Sequence, residues 1–203
     1  MNPINPALIG GIILAGGRAT RMGGGDKALV TLEGQTLLAR TITRVRPQVG
    51  RLILSANGDP ARFNDHDLPV LADPIGDHWG PLAGILAGLE YFRAHRPEIS
   101  VMASFPTDSP FLPLDLVARL ADCVMDCDIA MAESGGRLQP VFALWKISLA
   151  EDLRQALLGG VRKVDQFAQS YKCARVAWPE ADFFNINRPD DLQQAASRLH
   201  VLG

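Results

Sequence analysis

The stretch Leu14-Ala15-Gly16-Gly17-Arg18-Ala19-Thr20-Arg21-Met22-Gly23-Gly24-Gly25-Asp26-Lys27 puts five glycines and three cations into fourteen residues, and no acidic residue precedes Asp26. Glycines let backbone N–H groups close around phosphate oxygens without a Cβ in the way, and Arg and Lys neutralise the charge those oxygens carry. The segment reads as a phosphate-binding loop with Arg21 and Lys27 as its charged ligands. It has neither the GxxxxGK register of a Walker A loop nor the GxGxxG register of a dinucleotide fold. The plainer alternative is a glycine turn with solvated cations.

Three further places carry polar groups that chemistry can use. In Phe105-Pro106-Thr107-Asp108-Ser109-Pro110 an apolar run ends in a carboxylate, a hard oxygen donor that suits Mg²⁺. Mg²⁺ is usually held by one or two carboxylates together with substrate phosphates, so Asp108 alone is a sufficient protein ligand for a nucleotide-bound metal. Asn57 and Asp73 are short polar residues that also follow apolar runs. A base such as guanine presents N1–H and N2–H₂ donors on its pairing edge, and both side chains offer acceptors. Near the C-terminus Asn185-Ile186-Asn187 alternates as extended chain does, which puts both amides on one face. Turn formation or helix capping is the structural alternative at each of these positions, and only convergence on the glycine loop favours a site. Gly80-Pro81-Leu82-Ala83-Gly84 combines small residues able to approach a nucleoside with a proline suited to a helix's first turn.

Such residues need a frame. Short apolar runs at residues 8–14, 51–56, 69–72, 101–105, 140–145 and 173–178 read as strands. Apolar residues recur at helical spacing over residues 35–45, 82–92, 114–125, 149–158 and 190–199, the last following Pro189. Strands alternating with helices require right-handed crossovers and a mostly parallel sheet covered on both faces. Ligands of such sheets bind beyond the carboxyl ends of the strands. The glycine loop, Asn57, Asp73 and Asp108 each follow one of the first four strands, so they are expected to share one crevice.

Composition narrows the function classes. With 203 residues, a net charge of -2 and 47% hydrophobic residues, the chain matches a single globular domain spanning 1–203, with no linker-like tract or repeat. The balanced charge argues against nucleic-acid or anionic-membrane binding, and no apolar run approaches a membrane span. Cys123, Cys127 and Cys173 are an odd number in a chain able to build a core, so reduced thiols and a cytoplasmic setting are expected. No CxxC pair suggests zinc, the four histidines are scattered, and the tryptophans read as packing residues.

Taken in order, LAGGRATRMGGGDKAL at 14–29, SAN at 55–57, ADPIGDHWGPLAGI at 72–85, PTDSPFLP at 106–113 and FFNINRPDDL at 183–192 resemble the molybdenum cofactor guanylyltransferase family. The resemblance spans most of the chain and implies a Rossmann-like nucleotidyltransferase fold, an α/β three-layer sandwich. It implies transfer of GMP from Mg-GTP to the terminal phosphate of molybdopterin, with release of pyrophosphate. It assigns Leu14, Ala15, Gly16, Lys27, Asn57 and Asp73 to GTP, and Asp108 to both GTP and Mg²⁺. Arg21 and Gly24 match phosphate-loop positions, and Asn185 and Asn187 match residues of the acceptor side or of its junction with the nucleotide. Cytidylyl-transferring relatives usually carry Leu-Ala-Ala-Gly where this chain has Leu14-Ala15-Gly16-Gly17, so the guanine assignment follows from the resemblance. Transient contacts with proteins that deliver and accept the cofactor are implied as well. Competing readings are a cytidylyl or sugar-phosphate nucleotidyltransferase and a GTP-binding module without turnover.

Overall fold

The computed structural model describes residues 4–17, 24–76 and 79–202. In chain order the elements are β1 (Ile9–Leu14), β2 (Thr31–Leu32), β3 (Gln35–Thr36), α1 (Leu37–Val45), β4 (Arg51–Ser55), β5 (Val70–Leu71), α2 (Pro81–His95) and β6 (Val101–Pro106). They continue with α3 (Leu116–Val124), β7 (Ile129–Ser134), β8 (Arg137–Lys146), α4 (Ala150–Leu158), α5 (Val164–Ala168), β9 (Cys173–Trp178) and α6 (Pro189–Leu202).

Unbroken runs of buried residues make β1, β4 and β6 strands that are covered on both sides, as parallel strands must be. β1 lies between them. Leu14 at its end is level with Ser55 on β4 and Pro106 on β6, and Ser55 is level with Leu71 on β5. Because these carboxyl ends line up, the segments after all four strands leave the sheet along one edge. The seven-stranded order is β5-β4-β1-β6-β8-β7-β9, and β8 runs antiparallel to both neighbours. The expected three-layer α/β sandwich with a mostly parallel sheet is therefore present. One face carries α1 and α3, the other α2, α4 and α5.

Helix α2 lies almost flat on the sheet. A Cβ on Gly84 would stand 2.6 Å from Ser55 Oγ and 2.7 Å from Leu14 Cδ2, and one on Gly88 would stand 2.5 Å from Met102 Sδ. The small residues of the Pro81-to-Gly88 stretch thus bring the helix start close to the carboxyl edge. Arg154 of α4 grips Glu90 of α2 through two hydrogen bonds of 2.7 Å each.

The C-terminal half departs from the expected strands. β7 lies where residues 114–125 and 140–145 bracket an unassigned stretch, and it joins β8 through Gly135 and Gly136, both with positive φ. Two such residues make the tight hairpin turn whose twist matches its strands. Along this pair Ala132 is level with Gln139 and Met131 with Ala143, so residues 140–142 bulge out of the ladder around Pro140. The Ser104 hydroxyl donates to the Val141 carbonyl at 2.6 Å and accepts from the Trp145 indole N–H at 2.9 Å. That buried pair fixes the bulge, which turns Val141 towards the carboxyl edge. Residues 35–36 pair as β3 with β2 instead of starting the helix, and the Thr36 hydroxyl caps α1 by accepting from Ala39 N at 3.1 Å. Cys123, Cys127 and Cys173 are free thiols. No helix among the described residues is long and apolar enough to cross a membrane.

Candidate nucleotide and acceptor site

A cleft of about 800 Å³ opens along the carboxyl edge, with Leu14, Ala15, Gly16 and Gly17 as its floor. Ser55, Asn57, Gly58, Arg62 and Asp73 form one wall; Gly80, Pro81 and Gly84 at the start of α2 form another. Pro106 and the bulged Val141 close the side towards β8. The volume lies within the range of roughly 300–1,000 Å³ typical of small-molecule sites.

At the wall formed after β4 and β5, Asn57 and Asp73 act as one unit. Asn57 Nδ2 donates to Asp73 Oδ2 at 2.8 Å, and Asp73 N donates to Asn57 Oδ1 at 2.8 Å. Both ends of the Asn57 amide are thus engaged, which aims the carboxylate and ties the two strand ends together. The sequence suggested two separate acceptors; the structure couples them.

Beside the cleft, next to its lining residue Asp26, Lys27 is the hub. Its backbone N donates to Gly17 O at 3.1 Å, which folds the glycine segment back on itself. Its Nζ donates to Asp108 Oδ2 and to Asn187 Oδ1, each at 2.7 Å. Three chain segments, separated by 81 and 160 positions, therefore meet at one ammonium group. Lys27 and Asp108 keep side-chain exposures of 12% and 24%, so the pair is accessible from the edge without being freely solvated.

The loop after β6 that bears Asp108 is held from several sides. Ile186 N donates to Asp108 O at 2.8 Å, and the Ser109 hydroxyl donates to Asn185 Oδ1. Gln48 is buried and bonds Pro113 O at 2.9 Å and Val117 N at 3.0 Å, while Arg44 Nε donates to Leu112 O at 2.6 Å. Burial depresses the Arg44 guanidinium below its usual range, and the charge of Asp182 acts the other way. Beyond Asn187, Asp191 Oδ2 accepts from the N–H groups of Asn187 at 2.7 Å and Arg188 at 2.8 Å. This is the reciprocal half of a capping box at the start of α6, and it orients Asn187.

Leu14, Ala15, Gly16, Asn57 and Asp73 thus line one cleft, and Lys27, Asp108 and Asn187 meet beside it, with Asn185 one turn of chain away on Ser109. Gly24 is described, with φ of +90° and open space where a side chain would stand. Arg21 lies outside the described residues, as do residues 18–20. Sequence reading did not single out Arg62, whose Nε lies 3.0 Å from Asp26 Oδ2 and whose Nη2 donates to Asn57 O. Nothing local signals that pair, which joins residues 36 positions apart (62 − 26). No group of three or more His, Cys, Asp or Glu side chains able to hold a metal unaided occurs among the described residues.

Residues 11–174 match the family model described as MobA-like NTP transferase domain. The molybdenum cofactor guanylyltransferase of Rhodopseudomonas palustris (strain HaA2) is 57% identical over 91% of this chain and 89% of its own length. That of Bradyrhizobium sp. (strain ORS 278) is 51% identical over 91% and 90%. Among solved structures, molybdopterin-guanine dinucleotide biosynthesis protein A from Archaeoglobus fulgidus superposes with a TM-score of 0.77 at 23% identity, covering 94% of this chain and 98% of that one.

Proposed function

Because the chain belongs to the molybdenum cofactor guanylyltransferase family, we propose that it transfers GMP from Mg-GTP to the terminal phosphate of molybdopterin and releases pyrophosphate. The observation that carries this reading is the meeting of Lys27, Asp108 and Asn187 beside a cleft that the Asn57–Asp73 pair walls. A base at that wall and a triphosphate along Leu14 to Gly17 put the α-phosphorus within reach of Lys27 and Asp108. Asn185 and Asn187 then flank the side from which the acceptor arrives.

The reaction needs no protein nucleophile. A molybdopterin phosphate oxygen forms a bond to the α-phosphorus in line with the leaving group; the bond from α-phosphorus to the bridging oxygen breaks, and pyrophosphate departs with that electron pair. The acceptor phosphate is largely ionised near neutral pH, so no dedicated base is required. The work left to the protein is to hold two anions together and neutralise their charge. Lys27 supplies a cation at the junction, and Arg21 and the glycine loop, with Gly24, supply further phosphate contacts.

NTP transferases generally use a divalent metal. Asp108 fits Mg²⁺ because a lone carboxylate beside a phosphate site matches an ion that completes its shell with phosphate oxygens and water. When bound, Mg²⁺ supplies neutralisation of charge on those oxygens. A single domain, a cytoplasmic setting and transient contacts with proteins that deliver and accept the cofactor complete the proposal.

The test is guanine dinucleotide formation from GTP and molybdopterin with Mg²⁺, for wild type and Asp108→Ala. Loss of about 10²–10³ or more in turnover is expected for the variant. A turnover near that of wild type would remove Asp108 from the metal and phosphate site.

A further inference from the structure

Guanine differs from adenine on both of its polar edges. Besides the N1–H and N2–H₂ donors, it carries two adjacent acceptors, O6 and N7, whereas adenine puts a donor at position 6. The Asn57–Asp73 wall is rich in acceptors and answers the donor side alone. A base reader for the acceptor side must be a donor in the same corner of the cleft.

Arg62 is the one cation among the described residues that line the cleft, and it stands in that corner beside Asn57 and Gly58. It is not a loose surface side chain. Asp26 holds Nε, the Asn57 carbonyl holds Nη2, and the guanidinium lies 4.7 Å above the ring of Phe63, which is 1% exposed. Gly58 makes the placement possible: its φ is +83°, and a Cβ there would stand 2.9 Å from Arg62 Nη1. The Asn57 carbonyl takes one Nη2 hydrogen and Asp26 pairs with the charge at Nε, so the Nη1 hydrogens and the second Nη2 hydrogen remain as donors on a planar fork. Such a fork matches O6 and N7 of guanine in the bidentate manner that makes arginine the commonest reader of this base.

Resting on the guanylyl-transfer reading above, we propose that Arg62 reads the O6 and N7 edge of the guanine base and thereby selects GTP over adenine nucleotides. Asp26 has a double part in this. Its Oδ2 holds Arg62, and its Oδ1 accepts from Ala28 N at 3.2 Å, so base reading is joined to the turn that carries Lys27.

The experiment measures equilibrium binding to the full chain with Mg²⁺, using the four purine nucleotides GTP, ITP, 7-deaza-GTP and 2-aminopurine riboside triphosphate, with CTP as the pyrimidine comparison. ITP keeps O6, N7 and N1–H but lacks the 2-amino group; 7-deaza-GTP lacks N7 alone, and 2-aminopurine lacks both O6 and N1–H. Wild type is expected to favour GTP over the 2-aminopurine nucleotide by about tenfold or more. Arg62→Ala is expected to weaken GTP and ITP in parallel by about that factor while leaving the 2-aminopurine nucleotide within about twofold, so that the preference falls to the part carried by N1–H and the penalty for 7-deaza-GTP disappears. Arg62→Lys, which keeps the charge without the fork, is expected to lose most of the preference too, and retained 2-aminopurine binding reports an intact cleft. Equal weakening of all four nucleotides by Arg62→Ala, or an unchanged preference for GTP, would overturn the assignment to Arg62 alone. A wild type that favours CTP over every purine would overturn the guanylyl reading itself.

Discussion

On one side of β6 the strands β1, β4 and β5 all run parallel, and each ends at the same level before a short polar segment. On the other side β8 reverses, pairs with β7 through a two-glycine turn and bulges at Pro140, and only then does the order return to parallel at β9. The parallel half builds a site from strand ends, so its floor and wall follow from sheet geometry. The reversed half contributes through side chains and turns: Val141 from the bulge, and Asn185 and Asn187 from the segment before α6. Nucleotide binding is thus expected to depend on the first half, and acceptor binding on the second, with Lys27 touching both.

Lys27 is where the comparison can be broken most severely. Lys27→Ala is expected to lower kcat/KM for GTP by about 10²–10³, with weaker GTP binding and slower turnover together, because both partners of the ammonium lie in the transferring site. Steady-state kinetics with varied GTP checks this. An effect confined to the acceptor KM would separate Lys27 from the nucleotide half.

Gly84→Val probes the parallel half by packing instead of charge. The new side chain has Ser55 Oγ at 2.6 Å and Leu14 Cδ2 at 2.7 Å from its Cβ, both in the cleft wall. Urea unfolding is expected to show a loss of about 1–3 kcal/mol. GTP affinity should fall with it, since α2 must lift from the sheet edge.

The matching probe of the second half is Asp191→Ala. It removes the carboxylate that caps α6 and orients Asn187, at a cost of about 0.5–2 kcal/mol in stability. KM for molybdopterin should rise while the GTP dissociation constant stays near that of wild type. Equal losses for both substrates would mean that the halves are not separable.

The smallest effect concerns pH. Burial, aided by the hydrogen bond to Asp152 at 3.0 Å, pushes the Tyr171 hydroxyl up to about 12 from 10.0. A raised value means that the folded state keeps a proton the unfolded chain releases, so this contribution is whole below pH 10 and declines as pH rises towards 12. Thermal unfolding of Tyr171→Phe should show a shallower alkaline decline than wild type, with no change in either substrate's binding.

The parallel half was legible in the sequence because buried parallel strands read as unbroken apolar runs, and the residue types that end them, Gly16, Asn57, Asp73 and Asp108, are distinctive. Register then did what spacing alone cannot show, bringing those ends level. β7 escaped because Ile129-Ala130-Met131-Ala132 is short and alanine-rich, with Ile129 as its one β-branched residue. The Ser134-Gly135-Gly136-Arg137 turn was the signal that could have revealed it. α5 has five residues, too few for a helical period to emerge. Within the site, Asn57 and Asp73 were visible singly, but their mutual hydrogen bonds arise only from β4 and β5 lying side by side. The Lys27–Asn187 contact and the Asp26–Arg62 pair are products of folding and have no local pattern.

The most direct measurement offers the chain equal concentrations of GTP, ATP, CTP and UTP, each labelled at the α-phosphate, with Mg²⁺ and molybdopterin in one reaction, and identifies the labelled product. Label entering the pterin product from GTP alone, with one pyrophosphate released per transfer, is the expected result. Label from CTP, or no labelled pterin product from any nucleotide while the protein binds GTP, would contradict guanylyl transfer.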